Sequence, residues 1–555
     1  MRRFLGLVAV SGLLWARDPV RAKNAMVVSV EPQATDVGVA ILKSGGNAMD
    51  AAVAVAFALA VTYPSAGNLG GGGFLLYRDK TGQAAFFDFR ERAPMKASRD
   101  MYLDSSGKPT RDSVAGWRSS GVPGTVKGLE LAHQKHGRKK WNDVVRPAVR
   151  LAGKGSILSY SIALSLQTSK NLAVDPESAK IFQRNGSFYN PGDRLVQKDL
   201  EKTLKRIQKS GSPGFYQGET ARILADEMAR HAGMVSTEDL AAYRAIEREP
   251  LRGTYKNIEI VTAPPPSAGG VGILQMLGMV DGSGYEKGGR GSAATVHYLA
   301  EVMKRYYADR ARFLGDPDFV NVPVSGLLSR SYIDSRRATI QPQHATQADR
   351  LGEGQPLPAE SDETTHLSVV DSEGNAASLT YTLNGSFGNG ITVPGLGFLL
   401  NNEMDDFSVK PGHPNMFGAV GGEANAIQPR KTPLSSMTPL IAARDGKLLM
   451  VIGAPGGTRI TTGVFQAFLN AVDFKLNLQD AIDAPRLHHQ WRPDKLYLES
   501  GFSPDTIALL KSWGHDVDSI RGVAVVEGIM VEENSMGRWL AGAYDGRLDG
   551  KAAGY

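Results

Sequence analysis

The spacing of hydrophobic and polar residues predicts helices and short strands along the whole chain. A stretch that is apolar on every side, Ala51 to Val61, follows Asp50, which we expect to cap it. We interpret it as a buried helix that Pro64 ends. Helical spacing also covers most of residues 125–240, with polar breaks near 173–193. Further predicted elements are a helix over 34–43 and strands over 74–77 and 84–89.

The pattern changes at Thr364. Residues 340–363 are polar and lack apolar periodicity, so we interpret them as a flexible surface segment. Residues 367–371 and 376–382 then alternate as strands around a turn, so a hairpin is predicted to begin at the Thr itself. An apolar strand over 449–453 later runs through Gly456-Gly457 into a helix predicted over 460–474. Strands with helices around them in both parts indicate an α+β fold of sheets between helical layers.

The first 22 residues have the features of a secretory signal. Arg2 and Arg3 precede an apolar stretch from Phe4 to Trp15, and Ala22 ends a sequence with small residues at the cleavage spacing. The pattern around the Arg pair is incomplete for a twin-arginine signal, so ordinary export is favoured. This stretch and residues 51–61 are too short to cross a bilayer. We therefore expect a periplasmic or secreted protein with no membrane span.

Charge and composition exclude several classes of function. The net charge is +6, four of the arginines lie in residues 1–22, and no element carries the clustered Lys and Arg typical of nucleic-acid binding. The chain has no cysteine, which excludes thiol chemistry and Cys-ligated metals. No partner among nucleic acids is therefore expected.

Common catalytic motifs are absent from the sequence, including the phosphate-binding loop, the HExxH zinc motif and the GxSxG elbow. His488-His489 is a conceivable metal pair, but adjacent side chains diverge on a regular element and a structural role is favoured. What remains is the segment 362–366, in which a polar stretch runs into Thr364 at the start of a strand. Taken alone, this pattern does not separate a nucleophile from an ordinary β-forming threonine.

Residues 364–371, Thr-Thr-His-Leu-Ser-Val-Val-Asp, closely resemble the start of the small subunit of γ-glutamyltranspeptidases. The resemblance continues through several motifs in matching order and covers nearly the whole chain after residue 22, which makes it far more specific than any one motif. These motifs are Asp88-Phe89-Arg90-Glu91, the glycines after Asn68, and residues 380–384, 400–407, 433–437 and 453–457.

The resemblance implies an N-terminal-nucleophile hydrolase with a four-layer αββα sandwich built jointly by two fragments of one precursor. The precursor would cut itself between Glu363 and Thr364. A large subunit, residues 23–363, and a small catalytic subunit, residues 364–555, would then remain together as a heterodimer. The resemblance, and not the sequence pattern, selects Thr364 over Thr365. It implies no cofactor and no metal.

The catalytic roles implied by the resemblance agree with general chemistry. A free α-amino group at Thr364 has a reference pKa of about 7.7–8.0 and can take the proton of its own hydroxyl. Thr382 matches the family's second threonine, which supports the nucleophile. Gly456 and Gly457 match the pair that binds the oxyanion, and they precede a predicted helix N-terminus, where unpaired N–H groups gather.

The implied substrates are γ-glutamyl amides such as glutathione or glutamine-like amides, with water, amino acids or peptides as acceptors. Their α-ammonium and α-carboxylate must both be paired in a specific pocket. Phe417 lies in a stretch, 410–422, that resembles the lid of bacterial members, some of which carry Tyr there. The residues matching the carboxylate binders are Arg90, Ser435 and Ser436, and those matching the ammonium binders are Asn384, Glu403 and Asp406; family members carry Gln or Glu at the position of Glu403.

Two other functions remain open from the sequence. A cephalosporin (glutaryl) acylase-type amidase has the same fold, but its substrate arm has a carboxylate and no α-ammonium. A non-catalytic periplasmic protein that binds γ-glutamyl peptides would need neither a threonine at a cleavage point nor oxyanion glycines. The retention of all three ammonium-binding positions favours γ-glutamyl substrates.

Overall fold

The computed structural model describes residues 17–351 and 364–555. The helices are α1 (Pro32–Lys43), α2 (Ala48–Thr62), α3 (Thr125–His136), α4 (Trp141–Lys154), α5 (Tyr160–Thr168), α6 (Lys170–Val174), α7 (Pro176–Phe182), α8 (Lys198–Ser210), α9 (Pro213–Tyr216), α10 (Gly218–Arg230), α11 (Thr237–Ala242), α12 (Ala268–Val280), α13 (Ala293–Phe313), α14 (Val324–Leu327), α15 (Arg330–Ala338), α16 (Arg459–Val472), α17 (Leu478–Asp483) and α18 (Pro504–Ser512).

The strands alternate with these helices. They are β1 (Val20–Ala22), β2 (Met26–Ser29), β3 (Gly72–Arg78), β4 (Ala84–Asp88), β5 (Ser156–Ile157), β6 (Gln183–Arg184), β7 (Ser187–Phe188), β8 (Arg194–Leu195), β9 (Ile246–Arg248), β10 (Leu251–Tyr255), β11 (Ile258–Thr262), β12 (Thr365–Val370), β13 (Ala376–Thr382), β14 (Leu440–Arg444), β15 (Lys447–Gly453), β16 (Leu487–His488), β17 (Leu496–Leu498), β18 (Val517–Ser519), β19 (Glu527–Asn534), β20 (Gly537–Tyr544) and β21 (Lys551–Gly554).

Two seven-stranded sheets lie at the centre of the fold. The first has the order β1-β20-β19-β15-β14-β11-β10, and the second has the order β21-β2-β12-β13-β3-β4-β9. They pack face to face, with β12 and β13 against β15. Helices α1, α2 and α3 cover the outer side of the second sheet, with α4 packed on α2, and α12 and α16 cover that of the first. This is the αββα sandwich that the sequence predicts.

Helix α2 is buried along its whole length, as its uniformly apolar sequence predicts. Its N-cap, however, is Asn47 and not Asp50. Asp50 is the third residue of the first turn, and the two side chains form a reciprocal capping box, with the Asp50 carboxylate accepting from the Asn47 N–H at 2.9 Å. The prediction that Asp50 caps this helix is therefore wrong, although Asp50 completes the cap.

The predicted hairpin begins where the sequence places it. Thr365 pairs with Tyr381 across β12 and β13, and the other edge of β12 pairs with β2, with Leu367 opposite Ser29. Strand β12 is therefore hydrogen-bonded on both sides along most of its length. The position of Thr364, which immediately precedes it, is set by this pairing.

Part of the predicted surface segment 340–363 is packed. Ala345 and Ala348 are buried, and the Ala348 N–H donates to Asp494 at 2.7 Å while its carbonyl accepts from the Trp491 indole at 3.0 Å. Most of residues 340–351 are exposed, as the interpretation as a surface segment expects, but Ala345 and Ala348 fix this stretch to the core. Residues 352–363 lie outside the described residues.

The predicted signal over 1–22 lies mostly outside the described residues, since residues 1–16 are not among them. Strand β1 within it pairs with β20, with Val20 opposite Gly542, and a cut after Ala22 would remove this strand. The boundary at residue 22 stays a prediction. Within residues 17–351 and 364–555, no helix combines the length and the apolar character that a membrane crossing needs.

Helix α3 packs directly against the end of β4 at a glycine. A Cβ on Gly128 would lie 2.1 Å from Cγ of Phe89, the residue before Arg90. We expect Gly128→Ala to lower stability by roughly 1–3 kcal/mol, because overpacking forces side chains and backbone to move. Gly326→Ala is the matched control, since a Cβ there meets nothing within 4 Å. Equal melting temperatures for the two variants would contradict this packing argument.

Candidate active site

A cavity opens where the loops after β4, β13 and β15 meet the start of β12. It brings together most of the residues that the sequence selected, from both sides of position 363. It is lined by Arg90, Arg310, Thr364, Thr382, Asn384, Glu403, Asp406, Asn415, Phe417, Ser435, Ser436, Met437, Gly457, Thr458 and Ile460. Of the predicted site residues that the structure describes, only Gly456 is outside this lining, and it is the direct neighbour of Gly457.

The structure separates Thr364 from Thr365. Side chains alternate along a strand, and β12 directs Leu367 and Val369 into the core beneath α2. Thr365 shares their face and does not line the cavity, whereas Thr364 does. Both are buried, with Thr364 only 5% exposed. This geometry agrees with the choice of Thr364 that the resemblance made.

His366, two residues after Thr364, is a structural residue. Burial lowers the pKa of its ring to about 3, so it is neutral. Its Nδ1 lies 2.9 Å from Thr380 Oγ1, and its Nε2 lies 3.1 Å from Ser368 Oγ. A Cβ on Gly453 would lie 2.3 Å from this ring, so glycine lets β15 approach β12 beside the site.

Thr382 is the last residue of β13, next to Thr364 on the cavity wall. It pairs with Gly72 of β3, and its Oγ1 accepts a hydrogen bond from the Asn384 N–H at 2.9 Å. Asn384 has a positive φ of 76°, which Asn tolerates better than most residues. This turn carries Asn384 from the strand into the cavity.

Gly456 and Gly457 form the connection between β15 and α16, as predicted. Their φ values are 138° and 52°, in the region that favours glycine, and a Cβ on Gly456 would lie 2.7 Å from Cα of Ala524. Their N–H groups donate to no acceptor within residues 17–351 and 364–555. Two such donors at a helix start form a site suited to negative charge.

Arg90 follows the end of β4 and is almost completely buried, with 1% of its side chain exposed. Its Nη2 lies 2.6 Å from Glu403 Oε1 and 2.5 Å from Asp406 Oδ2. Burial disfavours its charge, but the carboxylates of Glu403, Glu91 and Asp406 outweigh burial and raise the pKa of Arg90. The backbone carbonyl of Arg90 accepts from the Tyr243 hydroxyl at 2.8 Å.

Ser435 and Ser436 lie across the cavity, on the segment that leads into β14. Arg310, from α13, donates from Nη2 to Ser436 Oγ at 3.2 Å. This contact occupies the oxygen of Ser436 as an acceptor and leaves its hydroxyl hydrogen available to a ligand. Sequence reasoning missed Arg310, because a charged residue on a helix is normally expected on the side that faces solvent. Only the tertiary fold shows that this one is buried.

Asn415 and Gln490, which were also missed, hold the segment that is predicted to be a lid. Asn415 donates from Nδ2 to Asp406 Oδ1 at 2.9 Å and accepts from the Phe417 N–H at 3.0 Å. The Phe417 carbonyl accepts from Gln490 Nε2 at 3.3 Å. Phe417 is 5% exposed and lines the cavity. Backbone contacts therefore hold this cover without the tyrosine hydroxyl that some bacterial members have.

The described residues contain a cluster with metal-like spacing, away from the cavity lining. Ligand atoms of His297, Glu301 and His515 lie within 4.8 Å of one another. Lys304 and Arg305, however, contact the Glu301 carboxylate at 3.0 and 2.6 Å, and these cations compete with any metal ion.

The pair His488-His489 has structural partners, as the favoured interpretation expects. His488 Nδ1 lies 2.9 Å from Thr462 Oγ1, and His489 Nε2 lies 3.2 Å from Asp494 Oδ1. Each ring is engaged by its own neighbours, so the two do not form a ligand pair.

Several known proteins are similar to this chain in sequence and in architecture. The family profile described as gamma-glutamyltranspeptidase matches residues 34–555. A glutathione hydrolase proenzyme of Escherichia coli (strain K12) is 48% identical over 541 residues, covering 97% of this chain and 93% of that protein. A solved Helicobacter pylori gamma-glutamyltranspeptidase is 40% identical with a TM-score of 0.56, covering 57% of this chain and 91% of that chain.

A cephalosporin acylase from Bacillus halodurans has a TM-score of 0.84 at 27% identity, covering 97% of each chain. The fold is thus shared by the two enzyme types that the sequence left open. The match of the family profile from near the N-terminus to the last residue decides the membership. The chain belongs to the gamma-glutamyltranspeptidase family.

Proposed function

We propose that this chain is a self-processing γ-glutamyl hydrolase and transferase whose nucleophile is Thr364, with glutathione or a similar γ-glutamyl amide as donor. The observation that carries the proposal is that one cavity holds Thr364 beside Thr382 at one end and, at the other, the buried Arg90 paired with the partly buried Asp406. A threonine beside paired charges of both signs suits an amide whose far end is a zwitterion.

In this proposal, cleavage between Glu363 and Thr364 creates the catalyst. The freed α-amino group takes the Thr364 hydroxyl proton, and the oxygen attacks the γ-carbonyl of the donor. The N–H groups of Gly456 and Gly457 stabilise the oxyanion, for which one donor is worth roughly 3–4 kcal/mol in other enzymes. The amine departs with the proton and leaves a γ-glutamyl ester on Thr364. Water or an acceptor amine then releases the ester.

The other end of the cavity carries groups that can pair with both charges of the donor. Arg90, Ser435 and Ser436 are placed to bind the α-carboxylate, which a guanidinium can hold by two parallel hydrogen bonds. Asn384, Glu403 and Asp406 are placed to bind the α-ammonium. Asn384 donates its own Nδ2 to the Asn402 carbonyl at 2.9 Å, which leaves its side-chain oxygen to accept from the donor.

The acylase alternative is less favoured, because Glu403 and Asp406 would then be carboxyl groups without a cationic ligand. The binding-protein alternative gives no reason for two glycines of positive φ beside a buried threonine, with N–H groups that have no acceptor among the described residues. The similarity to a glutathione hydrolase proenzyme and the cavity geometry support catalysis after self-cleavage, with the two fragments held together by strand β12 in the middle of its sheet.

Export to the periplasm or beyond is part of the proposal. Its support is the basic start at Arg2 and Arg3 and the apolar stretch that follows. Because β1 belongs to the first sheet, signal cleavage ahead of Val20 would retain this strand. Mass spectrometry of the large fragment decides between this position and residue 22.

Thr364→Ala should leave the precursor uncut and inactive, since the attacking hydroxyl is lost in both reactions. Thr364→Ser should be cut more slowly and keep part of the activity. Denaturing gels and anilide hydrolysis measure the two outcomes. Normal fragments from the alanine variant would show that another residue is the nucleophile.

Asp406→Asn should lower the activity on γ-glutamyl substrates much more than the activity on acyl substrates that lack the ammonium. Removing one partner of a buried charge pair costs on the order of 2–5 kcal/mol, so kcat/KM for a γ-glutamyl anilide should fall by about 30-fold or more. A glutaryl anilide shares the Arg90 contact but lacks the ammonium, so it should lose much less. Self-cleavage should persist. Equal losses on both anilides would remove Asp406 as an ammonium contact.

Phe417→Ala should raise the ratio of hydrolysis to transfer, because the aromatic cover that excludes water is lost. Phe417→Tyr should change this ratio little, since backbone contacts hold the lid. The ratio is measured from product yields with a dipeptide acceptor. An unchanged ratio in the alanine variant would show that Phe417 does not control the access of water.

A further inference from the structure

Glu91 is a buried acid that the proposed reaction does not use. It follows Arg90, is fully buried, and its Oε2 lies 3.7 Å from Arg90 Nη1. Glu403, also fully buried, lies 2.6 Å from Nη2 of the same guanidinium. The two carboxyl groups therefore lie at the two terminal nitrogens of one guanidinium group. One arginine therefore faces three acids, namely Glu91, Glu403 and Asp406.

The surroundings of Glu91 offer little else to neutralise it. Among the described residues no group donates a hydrogen bond to the carboxyl oxygens of Glu91 or Glu403, whose only cationic contact is the Arg90 guanidinium. The side chain is closely enclosed, since a Cβ on Gly72 would lie 2.7 Å from Glu91 Oε2 and one on Gly121 3.1 Å from Glu91 Cβ. Two buried carboxylates that face one guanidinium, with Asp406 as a third acid beside them, cannot all be ionised at low cost.

We propose that Glu91 and Glu403 share one proton in the free enzyme, and that the α-ammonium of the donor displaces it, which makes Glu91 a specificity-determining positioning residue. The inference rests on the proposed γ-glutamyl function. On binding, the ammonium takes the place of the shared proton as the positive charge between the acids, and the proton passes to solvent. A ligand without an ammonium leaves the proton where it is.

The neighbouring groups are consistent with this exchange. Burial, opposed by the charge of Arg90, raises the pKa of Glu91 to about 7 and raises that of Glu403 as well. The other charged or titratable groups facing the pair are Asp406 and the phenols of Tyr216 and Tyr243. Burial raises the pKa of both phenols, so they remain neutral near pH 7.

The sign of the pH effect follows from the exchange. Below the pKa of the pair the shared proton must be expelled, so donors with an ammonium bind less well as pH falls. Above this pKa the pair has already lost the shared proton, so the preference for donors with an ammonium no longer changes with pH. The quantity to measure is kcat/KM for γ-glutamyl anilide divided by kcat/KM for glutaryl anilide. This ratio cancels the titration of the Thr364 amine, which both substrates need, and kcat/KM reports ionisations of the free enzyme.

In the wild-type enzyme this ratio should rise by about ten-fold between pH 6 and pH 8, as expected for the loss of one proton. In Glu91→Gln it should change by less than about two-fold, because Glu403 alone is held ionised by Arg90. Glu403→Gln should flatten the ratio in the same way, and it replaces Glu91→Gln if that variant does not fold. Where glutaryl turnover is slow, inhibition constants of glutamate and glutarate supply the ratio.

Asp405→Asn is the matched control. Burial raises the pKa of Asp405 to about 6, but this carboxyl accepts from Ser113 Oγ and the Met416 N–H and is not paired with Arg90. Its replacement should leave the pH dependence of the ratio intact. A ratio that is flat in wild type, or that is flattened by Asp405→Asn and not by Glu91→Gln, would overturn the inference. A preference for glutaryl anilide at every pH would instead overturn the proposed function.

Discussion

The pairing of strand β12 on both of its edges is the constraint on which the rest of the structure depends. Because β2 and β13 hold the strand that starts at Thr365, the residue before it is fixed whether or not the chain upstream is intact. Strand β2 precedes residue 363 and β13 follows it, so the same sheet holds both fragments. A cut ahead of Thr364 would therefore remove a peptide bond without removing the hydrogen bonds that position the nucleophile.

The buried guanidinium of Arg90 is the second centre of organisation. Arg90 precedes the proposed cleavage point ahead of Thr364, whereas Glu403 and Asp406 follow it in the chain. The single positive charge of Arg90 cannot neutralise all of its carboxylate partners. Such an excess of negative charge costs free energy when no ligand is bound. A zwitterionic donor adds one charge of each sign at this point, so the excess of acid becomes a basis for recognising an ammonium.

Sequence reasoning predicted the features that depend on neighbouring residues. The hairpin after Thr364 and the Gly456-Gly457 turn follow from local alternation and glycine placement, and both were correct. The helix cap at Asp50 was wrong because Asn47, three residues earlier, is an equally good cap, and only the backbone decides between them. The resemblance to a family supplied the roles that periodicity could not.

Features that depend on contacts between residues distant in the sequence could not be predicted in this way. Arg310, Asn415 and Gln490 reach the cavity or its lid from separate elements, and nothing in their local sequence marks them. Glu91 and Glu403 are far apart in the chain and meet at the Arg90 guanidinium, so the surplus of acid there appears only in three dimensions.

The central claim is that Thr364, as a new N-terminus, carries the γ-glutamyl group. The most direct measurement is the intact mass of the denatured fragments, before and after an acid quench of the enzyme mixed with a γ-glutamyl donor. The account predicts a fragment with the mass of residues 364–555 that gains one γ-glutamyl group, located by peptide mapping on Thr364. A single uncut chain, or a label on any other residue, would contradict it.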